Sequence, residues 1–247
     1  MRAALALVVA LWPGLAEAAC RLALLLALDV SGSVDEREYD LQLEGLAAAL
    51  GDEEVRRVLF AMPGAPVALS VFEWSSASYQ SVIQDWVMIE DDATLDALRN
   101  RLLGWSRAPA PEATGLGAAL EYARGRFRTA PDCWDETLDI SADGKNNDWP
   151  PPERLRASGR LGEMNVNALV VAPDFLVTYD TGGTGIAELA AYFKAQIIHG
   201  PGAFVEVALG YSDYADAMRR KLLRELAALP IGQAPTRAPF RIVDNAQ

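Results

Sequence analysis

Apolar runs typical of buried strands alternate along the chain with amphipathic stretches typical of helices. The first run, RLALLLALD at 21–29, is almost continuously apolar, as expected for a central strand covered on both faces. The next stretch, VDEREYDLQLEGLAAAL at 34–50, has apolar residues at helical spacing and acidic residues in its first turn, where they favour the helix dipole. This alternation predicts a parallel sheet flanked by helices.

The same pattern continues to about residue 228. Further strands are predicted at 65–75, 81–89, 136–144, 165–173 and 203–209, and further helices at 91–105, 115–128, 150–164, 185–196 and 212–228. The interval between the strands at 65–75 and 81–89 is too short for a crossover helix, which predicts an antiparallel hairpin. The predicted fold class is therefore α/β, with a doubly wound, mostly parallel central sheet, helices on both faces and one antiparallel edge strand.

The two ends of the chain depart from this alternation. Residues 1–18 combine a basic Arg2, an apolar segment and a small-residue exit at Ala16-Glu17-Ala18, which is the layout of a secretory signal peptide. The apolar segment is too short to span a bilayer stably. Residues 230–247 lose periodicity and are predicted to form a loose tail. We therefore expect one domain at 19–229, exported to the periplasm or secreted.

Composition agrees with a folded domain and narrows the range of partners. A 51% apolar content in 247 residues is ample for a substantial core. The 22 basic residues against 34 acidic ones give a net charge of -12. This charge repels phosphate backbones and anionic lipid surfaces, so we expect no nucleic-acid partner and no stable membrane insertion.

The chain has two cysteines, Cys20 and Cys133, and export would favour a disulfide between them. Each precedes a strand-like run of similar length, ending at Asp29 and Asp143 respectively. If these strands are parallel neighbours, both cysteines lie at the same end of the sheet and within bridging distance. The alternative is two unrelated buried thiols. Lipid attachment at Cys20 is disfavoured by Glu17, where a branched apolar residue is expected.

Oxygen-bearing side chains follow two predicted strands and precede one predicted helix. They are Asp29, Ser31, Ser33, Thr114 and Asp143. Ligands of open parallel sheets gather at the carboxyl ends of the strands, where we expect these side chains to meet. Such hard donors suit Mg²⁺, Mn²⁺ or Ca²⁺. The alternative is that these residues are only helix caps and turn formers.

The spacing Asp-x-Ser-x-Ser at 29–33, a later Thr at a helix start and a later Asp-Gly after a strand resemble the metal-ion-dependent adhesion site of von Willebrand factor type A domains. The resemblance implies a complete site in which Ser31 and Ser33 bind the metal directly. It also implies that Thr114 joins them when a ligand is engaged, and that Asp29 and Asp143 act partly through water. The stretches LDVSGSVD, SADGKNND and HGPGAFVEVA further resemble an uncharacterised family of exported bacterial proteins of this fold.

Residues next to the expected site are candidates for a partner-facing rim. Asn146 and Asn147 follow Asp143 closely, although Asn also simply forms turns. Trp149 lies in the same polar loop and is the tryptophan most suited to contact a partner.

Three functional hypotheses follow. The first is an exported protein-binding module, not an enzyme, that uses its divalent cation to bind an Asp or Glu of a partner protein. The second is a metal-dependent phosphoesterase. Aspartate-nucleophile phosphatases begin with an Asp at a strand end but need a second Asp two residues later, where this chain has Ser31. The third is a structural protein with a vestigial metal site.

Overall fold

A computed structural model of the chain describes residues 20–172 and 184–227. The predicted signal peptide, the predicted tail at 230–247, the last residue of the strand predicted at 165–173 and the last residue of the helix predicted at 212–228 lie outside these ranges. The strands are β1 (Cys20–Asp29), β2 (Val67–Trp74), β3 (Gln80–Ile89), β4 (Cys133–Ala142), β5 (Asn165–Val171) and β6 (Val205–Ala208). The helices are α1 (Glu36–Gly51), α2 (Glu53–Leu59), α3 (Asp92–Leu103), α4 (Leu116–Phe127), α5 (Pro152–Ala157), α6 (Thr184–Gln196) and α7 (Tyr214–Ala227).

The six described strands form one sheet in the order β3-β2-β1-β4-β5-β6. All neighbouring pairs are parallel except β2 and β3, which form the predicted antiparallel hairpin at one edge. The predicted fold class is therefore confirmed. Because β1 and β4 are central neighbours, their carboxyl ends bring Asp29 and Asp143 to the same edge of the sheet.

Helices cover both faces of this sheet, and each face has its own apolar core. Alternate leucines of β1, at 22, 24, 26 and 28, pack under α1, α2, α3 and α7. The residues between them, Ala23, Leu25 and Ala27, pack under α4, α5 and α6. Since both sides of β1 are buried, the strand is apolar throughout, which explains the continuous run in the sequence.

Two element boundaries and one additional helix are the main differences from the sequence prediction. The strand predicted at 136–144 begins earlier, at Cys133, and α2 was not predicted at all. The helix predicted at 150–164 is wrong in length because α5 ends at Ala157. Gly159 follows with a φ of 66°, a left-handed conformation that ends a helix and that other residues rarely adopt.

The predicted disulfide between Cys20 and Cys133 is confirmed. The two residues are register partners at the start of β1 and β4, with their Cα atoms 4.2 Å apart. The bridge lies at the amino ends of the two central strands, opposite the edge where Asp29 and Asp143 lie at their carboxyl ends. It closes a sequence separation of 113 residues.

A buried ionic cluster that the sequence analysis did not predict joins α7 to the sheet. Lys221 Nζ lies 2.6 Å from Asp139 Oδ1 and 2.6 Å from Glu225 Oε1. Asn167 Nδ2 also donates to Glu225 Oε1, at 2.8 Å. All four residues are buried. Two carboxylates therefore share a single ammonium group away from water.

We expect this cluster to make stability depend on pH. Burial, reinforced by the negative charge of Glu225, raises the pKa of Asp139 from 3.8 to about 7 even though Lys221 opposes the shift. A raised pKa means that the folded state binds this proton more tightly than the unfolded chain. The resulting stabilisation is fully present below pH 3.8 and is lost as the pH rises through about 7.

The measurement is urea unfolding across this pH range for the wild type and Asp139→Asn. The wild type should lose up to roughly 4 kcal/mol relative to the variant as the pH rises. Asp40→Asn, at an exposed position on α1, should follow the wild-type profile. Parallel profiles for the wild type and Asp139→Asn would contradict the expected titration.

Candidate metal centre

The five predicted site residues lie in one cluster at the carboxyl edge of the sheet. Ser33 Oγ donates to Asp143 Oδ1 at 2.6 Å, and the Oγ atoms of Ser31 and Ser33 are 3.3 Å apart. Thr114 Oγ1 donates to Ser31 Oγ at 3.2 Å. Asp29 joins through its Oδ1, which accepts from the Ser31 amide at 2.8 Å. Three separate segments of the chain thus converge on one group of hydroxyl and carboxylate oxygens.

The two carboxylates of this cluster are buried close to each other. Burial and the nearby negative charge of Asp143 raise the pKa of Asp29 to about 8. Burial also raises the pKa of Asp143, against hydrogen bonds from Ser33 and Tyr211 that lower it. Ionised carboxylates buried this close repel each other, and a divalent cation between them would offset that repulsion.

The donor set fits a hard divalent cation. All five side chains offer oxygen, and Asp29 Oδ2 is buried without a hydrogen-bond partner among the described residues. An unsatisfied buried carboxylate oxygen costs free energy unless a cation or water engages it. Within the described residues no three carboxylate, imidazole or thiol groups are placed together to hold a metal ion, so this site depends on its hydroxyl donors. Ser31, Ser33 and Thr114 therefore distinguish this site from an all-carboxylate one.

Close backbone contact fixes the loop that carries the two serines. The Gly32 amide donates to the Glu112 carbonyl at 2.9 Å, in the loop that leads to Thr114. A Cβ at Gly32 would lie only 2.8 Å from Glu112 Cβ, so only glycine allows this approach. The loop ends at Asp35, which caps α1 in a capping box with Glu38. The sequence motif is therefore a folded connection between β1 and α1.

Arg107 holds the same loop from the other side, a role that the sequence analysis did not identify. Its guanidinium donates to the carbonyl oxygens of Val34 at 2.7 Å and Val30 at 3.1 Å. It also lies over the Tyr39 ring, 5.5 Å from the ring centroid. The Tyr39 hydroxyl in turn donates to the buried Glu73 at 2.7 Å. A chain of contacts thus connects the loop to the interior of the sheet.

Asn146 and Asn147 connect the loop after β4 to the start of α4. Asn147 Oδ1 accepts from the Thr114 amide at 2.7 Å, while the Asn147 amide donates to the Thr114 carbonyl at 3.0 Å. Asn146 Oδ1 accepts from the Gly117 amide at 3.2 Å. These bonds place Thr114 next to the serines. A sequence pattern cannot reveal contacts between residues this far apart in the chain.

Trp149 lies in the same loop, and its side chain is 63% exposed. The Arg154 guanidinium covers its ring at 4.8 Å from the centroid. A side chain as large and apolar as an indole is rarely this exposed. Contact between Trp149 and a partner therefore stays a prediction.

One protein family matches the whole region in which strands and helices alternate. Residues 19–230 match the family described as "Protein of unknown function (DUF1194)". The chain belongs to the DUF1194 family. A comparison with curated proteins found no match.

Solved structures similar to this DUF1194 chain are von Willebrand factor A-type proteins. Proximal thread matrix protein 1 from the mussel byssus, solved with a zinc-occupied MIDAS motif, has a TM-score of 0.58 at 14% identity, covering 85% of this chain and 49% of its own. The von Willebrand factor type A protein from Catenulispora acidiphila has a TM-score of 0.55 at 17% identity. The match covers 84% of this chain and 43% of the Catenulispora chain. The pilus adhesin SpaC from Lactobacillus rhamnosus GG has a TM-score of 0.57 at 12% identity. The match covers 86% of this chain and 31% of the SpaC chain.

This likeness establishes a von Willebrand factor A-like fold for the DUF1194 chain. The chain spans half or less of the length of these solved chains, so their activities as whole proteins do not transfer to it. Within the two described ranges, no helix has the length and apolar character needed to cross a membrane.

Proposed function

We propose that this protein is an exported protein-binding module of the adhesion type, whose divalent cation is completed by an Asp or Glu of the partner. The cation would be Mg²⁺, with Mn²⁺ or Ca²⁺ as alternatives. The observation that carries this proposal is the convergence of Ser31, Ser33, Thr114 and Asp143 in one hydrogen-bonded cluster beside Asp29.

The chemistry of the donors explains why the partner would supply an acidic group. Ser31, Ser33 and Thr114 are neutral ligands, so they would leave much of the cation's charge without compensation. Asp29 and Asp143 would act partly through water. A cation held mainly by hydroxyls attracts an external carboxylate more strongly than one surrounded by carboxylates does. The exposed Trp149 and the loop of Asn146 and Asn147 would form the rim that the partner contacts.

The similar structures and the disulfide support adhesion and export. Two of those structures are a pilus adhesin and a byssal matrix protein. A disulfide such as Cys20–Cys133 persists mainly in oxidising compartments, in agreement with the predicted signal peptide at 1–18 and a periplasmic or secreted location.

We propose a binding role for this site and no catalytic one. An aspartate nucleophile must reach its substrate, but Asp29 is fully buried and its Oδ1 accepts a hydrogen bond from the Ser31 amide. Phosphatase activity that is lost in Asp29→Asn while the metal stays bound would favour the phosphoesterase alternative instead.

Metal binding is tested first, by titration with MgCl₂ followed by calorimetry and thermal unfolding. A cation that binds only the folded state stabilises it by about 2.7 kcal/mol at a hundredfold excess over its dissociation constant. Ser31→Ala should abolish this gain, whereas Ser106→Ala, at an exposed position outside the cluster, should keep it. An absence of stabilisation by Mg²⁺, Mn²⁺ and Ca²⁺ would favour a vestigial site.

Partner binding is tested second, by affinity capture from the exporting cell with and without EDTA. We expect a partner that is lost both on adding EDTA and in Ser31→Ala, and retained by Ser106→Ala. Substituting the partner's contacting Asp or Glu with its amide should also abolish capture. Binding that survives EDTA unchanged would overturn the cation-dependent mechanism.

Arg107 provides a prediction about metal affinity that does not involve a ligand residue. Arg107→Met removes the donors that hold the carbonyl groups of Val30 and Val34, so the serine loop should lose its fixed geometry. Loss of an outer support of this kind weakens metal binding by about 10–100-fold. Calorimetric titration with Mg²⁺ measures the change, and Arg57→Met, at an exposed position of α2, is the matched control. Equal affinities for the two variants would contradict a positioning role.

A further inference from the structure

A stripe of polar residues lies on the face of the sheet that α7 covers, at the edge opposite the candidate metal centre. Its members belong to β4 and β5: Asp135, Thr137, Asp139, Asn165 and Asn167. Thr137 pairs with Asn165, and Asp139 pairs with Asn167, so the stripe is continuous across both strands. The neighbouring β1 has leucine at the equivalent positions. Polar residues at successive inward positions of central strands need a physical reason, because apolar side chains would cover the sheet at lower cost.

A cavity of about 360 Å³ opens onto this stripe. Its walls come from the amino ends of β4 and β5, the segment that leads into β6, and the last turns of α7. The volume lies within the range of sites for small organic molecules and far exceeds that of a bare metal ion. Leu22, Pro201 and Phe204 supply apolar wall next to the polar residues.

The polar wall carries oxygen acceptors that lack donors. The Asp135 carboxylate has no hydrogen bond or ion pair with any other described residue, and burial raises its pKa. Glu225 is only 5% exposed, and its Oε2 has no hydrogen-bond partner in the described part of the chain. Asn165 Oδ1 is likewise buried and unsatisfied there. The other carboxylate oxygen of Glu225, Oε1, already accepts hydrogen bonds from Lys221 and Asn167.

The cation on the cavity wall, Arg224, is placed against an aromatic ring. Its guanidinium carbon lies 3.7 Å from the centroid of Phe204. An anionic ligand would gain from Arg224 but would lie close to the carboxylates of Asp135 and Glu225. A donor-rich cation is repelled by Arg224 but gains from the unpaired Asp135 carboxylate, and its N–H groups match the unsatisfied oxygens Glu225 Oε2 and Asn165 Oδ1.

We propose that this cavity binds a small organic molecule with a primary ammonium group, whose N–H groups donate to the Asp135 carboxylate. An ammonium group has three donors and no acceptor, which complements a wall of unsatisfied oxygens. The organic part of the ligand occupies the apolar side of the cavity, against Leu22 and Phe204. This site is independent of the proposed metal centre, since its residues lie at the opposite edge of the sheet.

The test is a nuclear magnetic resonance titration of the full chain with n-butylammonium chloride at constant ionic strength. We expect saturable shifts of the backbone amides of Thr137, Asn167 and Gly202, with a dissociation constant on the order of a few millimolar for so small a probe. Asp135→Asn should weaken binding by about tenfold, because a charge-assisted hydrogen bond is lost. This variant is nearly isosteric and removes an unpaired carboxylate, so the fold should be retained.

Three controls test whether the shifts depend on the Asp135 carboxylate, on the ammonium group of the probe and on the candidate metal centre. Asp40→Asn removes the same charge at an exposed position of α1 and should bind like the wild type. Sodium n-butyrate should give no shifts at the cavity, and Ser31→Ala should leave the amine response unchanged. Equal binding by Asp135→Asn and Asp40→Asn, competition by Mg²⁺, an equal response to butyrate, or no saturable shift would each overturn the proposal.

Discussion

Replacing Lys221 with methionine should lower the free energy of unfolding by about 3–5 kcal/mol. Lys221 is fully buried and lies 2.6 Å from both Asp139 and Glu225. Without the ammonium group, the two carboxylates would face each other in the low-dielectric interior beneath α7. Methionine preserves most of the volume of the side chain, so the loss would come from electrostatics and not from a cavity. Urea unfolding followed by circular dichroism measures this change.

A second substitution separates this cause from general damage to α7. In Lys221→Met with Asp139→Asn, one of the two uncompensated charges is removed, so the double variant should recover part of the lost stability. The surface substitution Lys194→Met, at an exposed position of α6, should change stability by less than about 0.5 kcal/mol. If Lys221→Met behaved like Lys194→Met, the cluster would contribute nothing to the fold.

The ionic cluster also shows what sequence patterns cannot reveal. Lys221 and Glu225 are four residues apart on a helix, a spacing that is typical of an exposed ion pair. Asp139 occupies a strand position where solvent exposure is equally plausible from the sequence. Only the contact between α7 and β4 turns these three charges into a buried group, and that contact depends on the tertiary fold.

The candidate metal centre was more predictable because its residues mark local junctions. Asp29 and Asp143 stand at or just after the ends of two predicted strands, and Thr114 precedes a helix. Once the alternation predicts a parallel sheet, such positions must meet at its carboxyl edge. The order of strands supplies the remaining condition, since β1 and β4 must be neighbours. The positions of the cysteines already pointed to that pairing.

The supports of this centre depend on contacts that have no local signal. Arg107 reaches carbonyl groups 73 and 77 residues away in the chain. Asn147 reaches Thr114 across 33 residues, although an Asn in such a loop is equally suited to a simple turn. These contacts arise only when the loops after β1 and β4 and the connection between α3 and α4 approach one another, so sequence reasoning could name the oxygen cluster but not what holds it in place.

Removing the disulfide with Cys20→Ala and Cys133→Ala should destabilise the fold by about 4–5 kcal/mol at most. The bridge closes a loop with a sequence separation of 113 residues, so it removes a large conformational entropy from the unfolded chain. Urea unfolding of the oxidised wild type against the double variant measures the effect. Adding a phosphine reductant should destabilise the wild type by a similar amount and leave the double variant unchanged.

The position of the bridge predicts that this loss will not reach the candidate metal centre. Cys20 begins β1 and Asp29 ends it, so the two are about 30 Å apart along a ten-residue strand. The hydrogen bonds of β1 to both β2 and β4 hold its carboxyl end in register without the bridge. Mg²⁺ affinity of the folded double variant should therefore equal that of the wild type. A large fall in affinity would mean instead that the bridge sets the register of β1 against β4, and that the oxygen cluster depends on it.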